Sequence, residues 1–183
     1  MNCALSLFSD RGYDGVGIAE ICTEAGITKP TLYYYFSSKD GLYRALWEKE
    51  FKPLRQALTD TAEYDPHPED YEQDVLPVLV MVIEAYTTFS DAEPAFFRLL
   101  AALMFAPDGS AAVALAREYR NFQFDLFRTL FANMARAHGN LIGKEELLSA
   151  SFLGMIFSYI SIKDTAHFGA EAVARQFMHG IFS

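Results

Sequence analysis

The residues best suited to recognising another molecule stand together at positions 28–39, which read Thr-Lys-Pro-Thr-Leu-Tyr-Tyr-Tyr-Phe-Ser-Ser-Lys. Hydroxyl and ammonium groups donate hydrogen bonds to phosphate oxygens and to base edges, so this composition suits contact with DNA. Leu32 and Phe36 are four residues apart and therefore share the inward face of a helix, which leaves the polar side chains outward. The residues predicted to contact DNA are Thr28, Lys29, Pro30, Thr31, Tyr33, Tyr34, Tyr35 and Lys39.

A preceding helix and a tight turn must position this segment. Apolar residues recur at three- and four-residue intervals across 18–25 and predict a helix with one buried stripe. Gly26 follows, where a sharp turn favours a residue without a Cβ atom, and we expect Ile27 to fill the angle between the helices. Thr28 suits an N-cap and Pro30 suits the first turn of a second helix. The pattern predicts a helix-turn-helix, which lays its second helix in the major groove of DNA.

Residues 4–47 resemble the DNA-binding domain of the TetR family of bacterial transcription regulators. Three runs support the resemblance: ALSLFSDRGY at 4–13, AGITKPTLYYYF at 25–36 and SKDGL at 38–42. The most specific part is the Leu-Tyr-x-Tyr-Phe sequence followed by Ser-Lys-Asp. The resemblance implies a DNA-binding head, a divergent helical sensor body and a homodimer built from the last two helices.

The remainder of the chain predicts an all-α protein. Apolar periodicity and the turn signals between the apolar segments predict helices at about 2–11, from 39 past Pro53, 70–90, 94–106, 110–138, 144–165 and 170–182. We therefore expect an N-terminal three-helix head containing the helix-turn-helix, at residues 1–49, and a C-terminal helical bundle for ligand sensing and dimerisation, at residues 50–183.

The charge distribution bears on how strongly the head can bind DNA. The formal net charge is −9, but residues 1–49 contain five Lys or Arg and six Asp or Glu and are close to neutral. DNA affinity comes largely from neutralised phosphates, so this head alone should bind weakly. We expect a basic segment upstream of Met1 in the natural protein, and dimerisation would double the phosphate contacts.

The last two helices are predicted to pair with a second copy of the chain. From Leu147 to Ile162 apolar residues occur on nearly every face, which is typical of a helix covered on all sides. Ala150, Gly154 and Ser158, at four-residue spacing, would allow close approach of a neighbouring helix. An intramolecular core is the alternative. The predicted interface residues are Phe152, Met155, Ile156, Tyr159, Phe177 and Ile181.

Aromatic residues crowd the middle helices and predict either a packed core or an apolar cavity between helices. Such cavities bind small apolar or aromatic molecules with a few polar groups for orientation. The candidate effector-binding residues are Tyr86, Phe89, Phe97, Arg98, Met104 and Phe122. The alternative function is a helix-turn-helix protein whose body binds another protein and takes no small ligand.

Other classes of function lack their sequence signals. A di-iron bundle needs Glu-x-x-His motifs, and the chain has only Asp164-x-x-His167. No phosphate-binding loop or nucleophile motif is present, so we predict neither catalysis nor a cofactor. The acidic segment 60–74, which contains His67, predicts a solvated loop, with a divalent-metal site as the alternative. The longest apolar run, 75–83, is too short for a membrane span, and we expect a cytoplasmic protein.

Overall fold

The computed structural model describes residues 1–66, 69–164 and 168–180, and this part of the chain is entirely helical apart from its loops. The predicted all-α class is confirmed. The helices are α1 (Asn2–Arg11), α2 (Ile18–Ala25), α3 (Lys29–Phe36), α4 (Lys39–Thr61), α5 (Tyr71–Ala92), α6 (Pro94–Phe105), α7 (Ala111–Ala137), α8 (Glu145–Ile162) and α9 (Ala170–His179), with a 3₁₀ turn at Gly139–Leu141.

The contacts group the chain into two packing units. Unit one contains Met1–Pro53 and Ala92–Asn121, and unit two contains Leu54–Asp91 and Phe122–Ser183. Both α4 and α7 are continuous helices that contribute to both units. The division at residue 49 between a DNA-binding part and a sensing part stays a prediction. The packing units differ from it, because residues 92–121 pack with the N-terminal helices.

An aromatic chain explains why α6 and the start of α7 pack with the head. The Trp47 ring on α4 lies 4.9 Å from the Phe96 ring on α6 and 5.2 Å from the Tyr119 ring on α7. Tyr43, one turn earlier, contacts Trp47 and also lies edge-on to Phe8 of α1 at 5.2 Å. Edge-to-face aromatic pairs contribute stability beyond the area they bury. One continuous core therefore joins the helix-turn-helix to the middle of the chain.

Unit two has its own core, built around Phe152 of α8. The Phe152 ring lies 5.5 Å from Phe127 and 5.8 Å from Phe131, both on α7, and 4.9 Å from Phe177 on α9. The side chain of Tyr86 on α5 is completely buried, and its hydroxyl donates to Gln123 at 2.7 Å. Neighbouring helices of the same chain therefore cover the face of α8 that carries Phe152.

Two helices have the length and apolar composition that a membrane span requires, Tyr71–Ala92 and Glu145–Ile162. Within their most apolar windows, 50% and 39% of the residues are buried against other parts of the protein. Core helices of globular proteins pass the same test, so it is weak evidence for a span. Leu147 and Ile162 of α8 are 68% and 50% exposed in the single chain, so its own helices cover only part of α8. The expected cover by a second copy stays a prediction.

Candidate DNA-binding surface and partner surfaces

The turn between α2 and α3 has the conformation that the sequence predicts. Gly26 is left-handed (φ 65°, ψ 30°), and the amide of Ile27 donates to the Cys22 carbonyl at 3.0 Å. This bond and the one from Gly26 to Thr23 satisfy carbonyls at the end of α2. Ile27 itself is 38% exposed, so most of its side chain is covered, and its place in the angle between the helices stays a prediction. The glycine turn redirects the chain.

Helix α3 begins with the predicted cap. The Thr28 hydroxyl accepts a hydrogen bond from the Thr31 amide at 3.4 Å, and Pro30 lies in the first turn. The Thr28 and Thr31 hydroxyls are also 2.8 Å apart, so one donates to the other. Leu32 is 1% exposed and anchors the helix from below. These local bonds fix the helix with a single buried side chain.

The outward face of α3 is rich in aromatic hydroxyls. Tyr33, Tyr34 and Tyr35 are 46%, 83% and 70% exposed, and the rings of Tyr34 and Tyr35 meet edge-on at 5.1 Å. Lys29 and Thr31 are exposed on the same short helix. A surface of hydroxyl, ammonium and ring groups on a helix about 12 Å long, eight residues at 1.5 Å each, matches what a major groove can admit.

The junction between α3 and α4 is sterically tight. Ser37 adopts a positive φ of 62°, which is costly for a residue with a Cβ atom, and Ser38 caps α4 by accepting from the Gly41 amide at 2.9 Å. A Cβ atom on Gly41 would lie 2.0 Å from the Phe36 carbonyl oxygen. Gly41 therefore permits the close approach that sets the end of α3 against α4. Gly41 belongs to the SKDGL run at 38–42, but its spacing does not predict this close contact.

The Lys39 side chain lies against the ring of Tyr13 instead of extending fully into solvent. Its ammonium nitrogen lies 4.1 Å from the centre of the Tyr13 ring, a cation–π arrangement. The Tyr13 hydroxyl donates to Asp40, and burial together with this bond raises the pKa of Tyr13 well above its ordinary value. Tyr13 therefore stays neutral at physiological pH. The start of α4 is fixed to the end of α1 through this ring.

Most basic side chains of the head already have partners. Arg11 pairs with Glu20, Lys49 pairs with Glu50, and the Arg44 guanidinium donates to the Leu115 carbonyl at 3.2 Å. Lys29 and Lys39 are therefore the main candidates for contact with DNA phosphates in a head whose charge is close to neutral.

The predicted interface residues on α8 and α9 separate into buried and accessible side chains. Phe152 and Ile156 are both 0% exposed within one chain, so they offer no surface to a second copy, and their assignment to an interface is corrected here. Met155 and Tyr159 line an apolar groove of about 480 Å³ on unit two, while Phe177 is half-buried. Ile181 lies outside the described residues. The groove is lined by Met155, Ser158, Tyr159, Ile162, Phe168, Ala172, Val173 and Gln176.

The predicted effector-binding residues are divided between the packing units, and their role stays a prediction. Unit one contains Phe97, Arg98 and Met104, and unit two contains Tyr86, Phe89 and Phe122.

Three of these side chains have partners that the sequence did not predict. The Arg98 guanidinium is exposed and pairs with Asp10 of α1 at 3.2 Å. In unit two the Arg55 guanidinium lies 4.3 Å from the centre of the Phe122 ring. Burial raises the pKa of Tyr86 well above its ordinary value, and its hydroxyl proton is directed to Gln123. The Tyr86 donor is therefore already used inside the core.

The acidic segment is only partly the solvated loop that its composition predicts. Asp70 accepts from the amides of Glu72 and Gln73 and caps α5. Asp74, by contrast, is 5% exposed and accepts hydrogen bonds from Tyr64 and His138, so it belongs to the core and its assignment to a solvated loop is wrong. Among the described residues, no three His, Cys, Asp or Glu side chains are grouped for a metal ion, and His67 lies outside them.

Comparison with known proteins matches the head to one family. The family described as bacterial regulatory proteins, tetR family, matches residues 1–46. The transcriptional activator FasR of Mycolicibacterium smegmatis is 44% identical over 64 residues, which are 33% of this chain and 29% of FasR. IcaR of Staphylococcus aureus, a negative transcriptional regulator of the biofilm operon icaADBC, is 25% identical over 98% of this chain and 91% of its own.

Solved structures share the fold over the whole chain. A TetR-like transcriptional regulator from Rhodococcus sp. RHA1 aligns with a TM-score of 0.69 at 21% identity, covering 98% of this chain and 93% of that one. The regulator FadR from Bacillus subtilis, solved in complex with stearoyl-CoA, aligns with a TM-score of 0.67 at 16% identity, covering 98% and 96%. These TM-scores support a shared fold over the length of the chain.

Proposed function

We propose that this chain, whose residues 1–46 match the tetR family of bacterial regulatory proteins, is a homodimeric repressor released from its operator by a small apolar or aromatic effector. The observation that carries the proposal is the outward face of α3. Three exposed tyrosines, Lys29 and Thr31 stand on a helix whose inward side is formed by Leu32 and the half-buried Phe36. Such a face has no role in packing and is suited to reading base edges.

Two such helices would read two half-sites. Helix-turn-helix dimers place their recognition helices about 34–36 Å apart, one turn of DNA, on a pseudo-palindromic sequence. The proposed dimer contact is the groove of about 480 Å³ on α8 and α9, lined by Met155, Tyr159 and Ile162. Two chains on one operator would double the phosphate contacts of a head that is itself nearly neutral. Operator DNA as partner places this activity in the cytoplasm.

The helical body is proposed to hold the effector. FadR from Bacillus subtilis shares the fold and holds stearoyl-CoA, which supports a ligand-binding role for such a body. The proposed contacts are Tyr86, Phe89, Phe97, Arg98, Met104 and Phe122. An effector lowers operator affinity only if it binds the DNA-free dimer more tightly than the DNA-bound dimer. A coupling of about 1–3 kcal/mol would weaken operator binding roughly 5- to 150-fold.

Repression rather than activation is the finer part of the proposal. The negative regulator IcaR is similar over nearly the whole chain, whereas the activator FasR is similar over the head only. A dimer that occupies an operator and leaves it on binding an effector acts by blocking transcription.

Selection of duplexes from a random DNA pool tests the proposed target. We expect enrichment of a pseudo-palindrome with half-site centres about 10 base pairs apart, bound by two chains per duplex. Enrichment of no sequence, or of an asymmetric site bound by one chain, would contradict the proposal.

A compound panel tests the proposed effector response. A compound that binds the folded protein raises its melting temperature. We expect compounds found in this way to lower affinity for the selected operator in a fluorescence titration. If stabilising compounds left operator affinity unchanged, ligand-gated repression would be wrong, and the body would act through another partner.

A further inference from the structure

A second candidate site lies inside unit two and shares no lining residue with the site proposed for the effector. It is a cavity of about 210 Å³ between the start of α5, the end of α7, and helices α8 and α9. Its lining residues are Tyr71, Val75, Leu79, Phe131, Met134, His138, Asn140, Leu141, Leu148, Phe177 and Met178. All of them belong to the same packing unit.

The cavity is apolar at its floor and polar where it reaches solvent. Leu79, Phe131 and Met134 are almost completely buried, at 0%, 2% and 0% exposed. Tyr71 is 48% exposed, and Asn140 is exposed at the other side of the opening. An apolar site with a few convergent polar groups is the usual architecture of a small-molecule pocket.

His138 gives the cavity a fixed polar group. Its Nε2 atom lies 2.5 Å from a carboxylate oxygen of Asp74, and the Tyr64 hydroxyl donates to the same oxygen. A buried carboxylate behind an imidazole fixes the orientation and tautomer of the ring. With Nε2–H donating to Asp74, the remaining ring nitrogen of His138, Nδ1, is left to bond with a ligand. A phenolic hydroxyl is complementary to it because such a hydroxyl can both donate and accept a hydrogen bond.

The size and walls of the cavity define the rest of the ligand. A protein cavity of about 150 Å³ lined by apolar side chains accommodates benzene. A volume of about 210 Å³ therefore has room for one ring with a small substituent or two. Phe131, Phe177 and the sulfur atoms of Met134 and Met178 line it, and both kinds of group make favourable contacts with an aromatic ring.

The charges around His138 disfavour an anion there. Glu72 and Glu171 both pair with Arg175, which leaves one excess negative charge, and Asp74 adds another beside His138. His179 lies 3.3 Å from Glu72 and within 3.5 Å of the Tyr71 hydroxyl at the opening. Lys144 carries the opposite charge and donates to the Asn140 carbonyl at 2.8 Å. A ligand carboxylate bound to His138 would lie beside the Asp74 carboxylate, whereas a neutral hydroxyl would meet no such repulsion.

We propose that this cavity binds a neutral single-ring aromatic compound carrying one hydroxyl group, a phenol. The ring lies against the floor formed by Leu79, Phe131 and Met134, and the hydroxyl forms a hydrogen bond with His138. The site is independent of the proposed DNA target, since its ligand is defined by the walls of unit two alone.

Calorimetric titration of the full chain with p-cresol tests the proposal, with toluene, 4-methylbenzoate and 1-hexanol as comparison ligands. We expect p-cresol to bind one molecule per chain, and toluene to bind roughly three- to tenfold more weakly because it lacks the hydrogen bond. Tighter binding of 4-methylbenzoate would contradict the neutral ligand, and tighter binding of 1-hexanol would contradict the ring. Equal affinity for toluene would remove the role of His138.

A matched pair of variants locates the binding. Leu148 is half-buried and lines the cavity, whereas its neighbour Leu147 is 68% exposed and does not. Leu148→Trp should fill the cavity and abolish p-cresol binding, while Leu147→Trp should keep it. Equal binding by both folded variants would place p-cresol elsewhere.

Nitrogen NMR of the histidine rings in the wild-type protein reports on binding at the unaltered site. Addition of p-cresol should shift the ring signals of His138, identified by their loss in His138→Gln, and unchanged His138 signals at saturation would overturn the assignment. These measurements contain no DNA, so their failure leaves the proposed operator binding intact, and failure to find an operator leaves the cavity intact.

Discussion

Helix α3 buries one of its eight residues, Leu32, whereas α8 buries seven of its eighteen, among them Phe152 and Ile156. The conformation of α3 is specified by neighbours in sequence: the Thr28 cap, Pro30 and the glycine turn before them. The conformation of α8 is specified by rings on α7 and α9, such as Phe131 and Phe177. A helix that must present its side chains to DNA is held by local bonds, and a helix that must hold the body together is held by its surroundings.

Truncation of one large side chain on each helix should give the largest difference between the two helices in the free energy of unfolding. Phe152→Ala should lower the free energy of unfolding by about 3–5 kcal/mol, because it removes a fully buried ring. Tyr34→Ala should change it by about 0.5 kcal/mol or less, because its ring is 83% exposed. Urea unfolding followed by circular dichroism measures both. Similar losses for the two variants would break the contrast between the helices.

A pair of glycine substitutions tests whether close approach, and not glycine as such, matters in the head. Gly41→Ala places a Cβ atom 2.0 Å from the Phe36 carbonyl oxygen and should destabilise the protein by about 1–3 kcal/mol, with a loss of operator affinity. Gly109→Ala, in the loop before α7, meets no atom within 4 Å and should stabilise the protein by about 0.4–1 kcal/mol. Two substitutions of the same sign would show that the junction between α3 and α4 is not sterically tight.

Much of the head could be predicted from the sequence because its determinants are local. Gly26, Thr28 and Pro30 act within a few residues of their own positions, and the helices they delimit begin and end where expected. The core of unit two could not be predicted in this way. Asp74 looks like one more acidic residue in a polar loop until His138, 64 positions later, packs against it.

The same reason explains the corrections at α8. Phe152 and Met155 are equivalent by spacing and hydrophobicity, and only the neighbouring helices decide that Phe152 is covered and Met155 lies in a groove. Gly41 is a different case. The motif contains this glycine, but only the folded structure shows that the Phe36 carbonyl oxygen leaves no room for a Cβ atom there.

Removal of one positive charge should have a smaller effect on DNA affinity, and it distinguishes a contact with the phosphate backbone from a contact with bases. Lys39→Ala should weaken binding to all DNA sequences alike and lower the slope of log affinity against log salt by about 0.9 for each chain bound, because one phosphate contact is lost. Lys49→Ala, later on the same helix and paired with Glu50, is the control. Loss of the cation–π contact with Tyr13 should cost about 0.5–1 kcal/mol of stability, measured by unfolding in parallel. An unchanged salt slope would remove Lys39 from the DNA contact.

The central claim is that exposed side chains of α3 read DNA without contributing to the stability of the head. Fluorescence anisotropy with the selected operator and a scrambled duplex tests it most directly, using wild type, Tyr34→Ala and Phe105→Ala, a 72% exposed aromatic residue outside the helix-turn-helix. Tyr34→Ala should weaken operator binding by about 1–3 kcal/mol and narrow its advantage over the scrambled duplex, with unfolding unchanged. Phe105→Ala should bind like wild type. Wild-type affinity and specificity in Tyr34→Ala, with a loss in Phe105→Ala, would contradict the account.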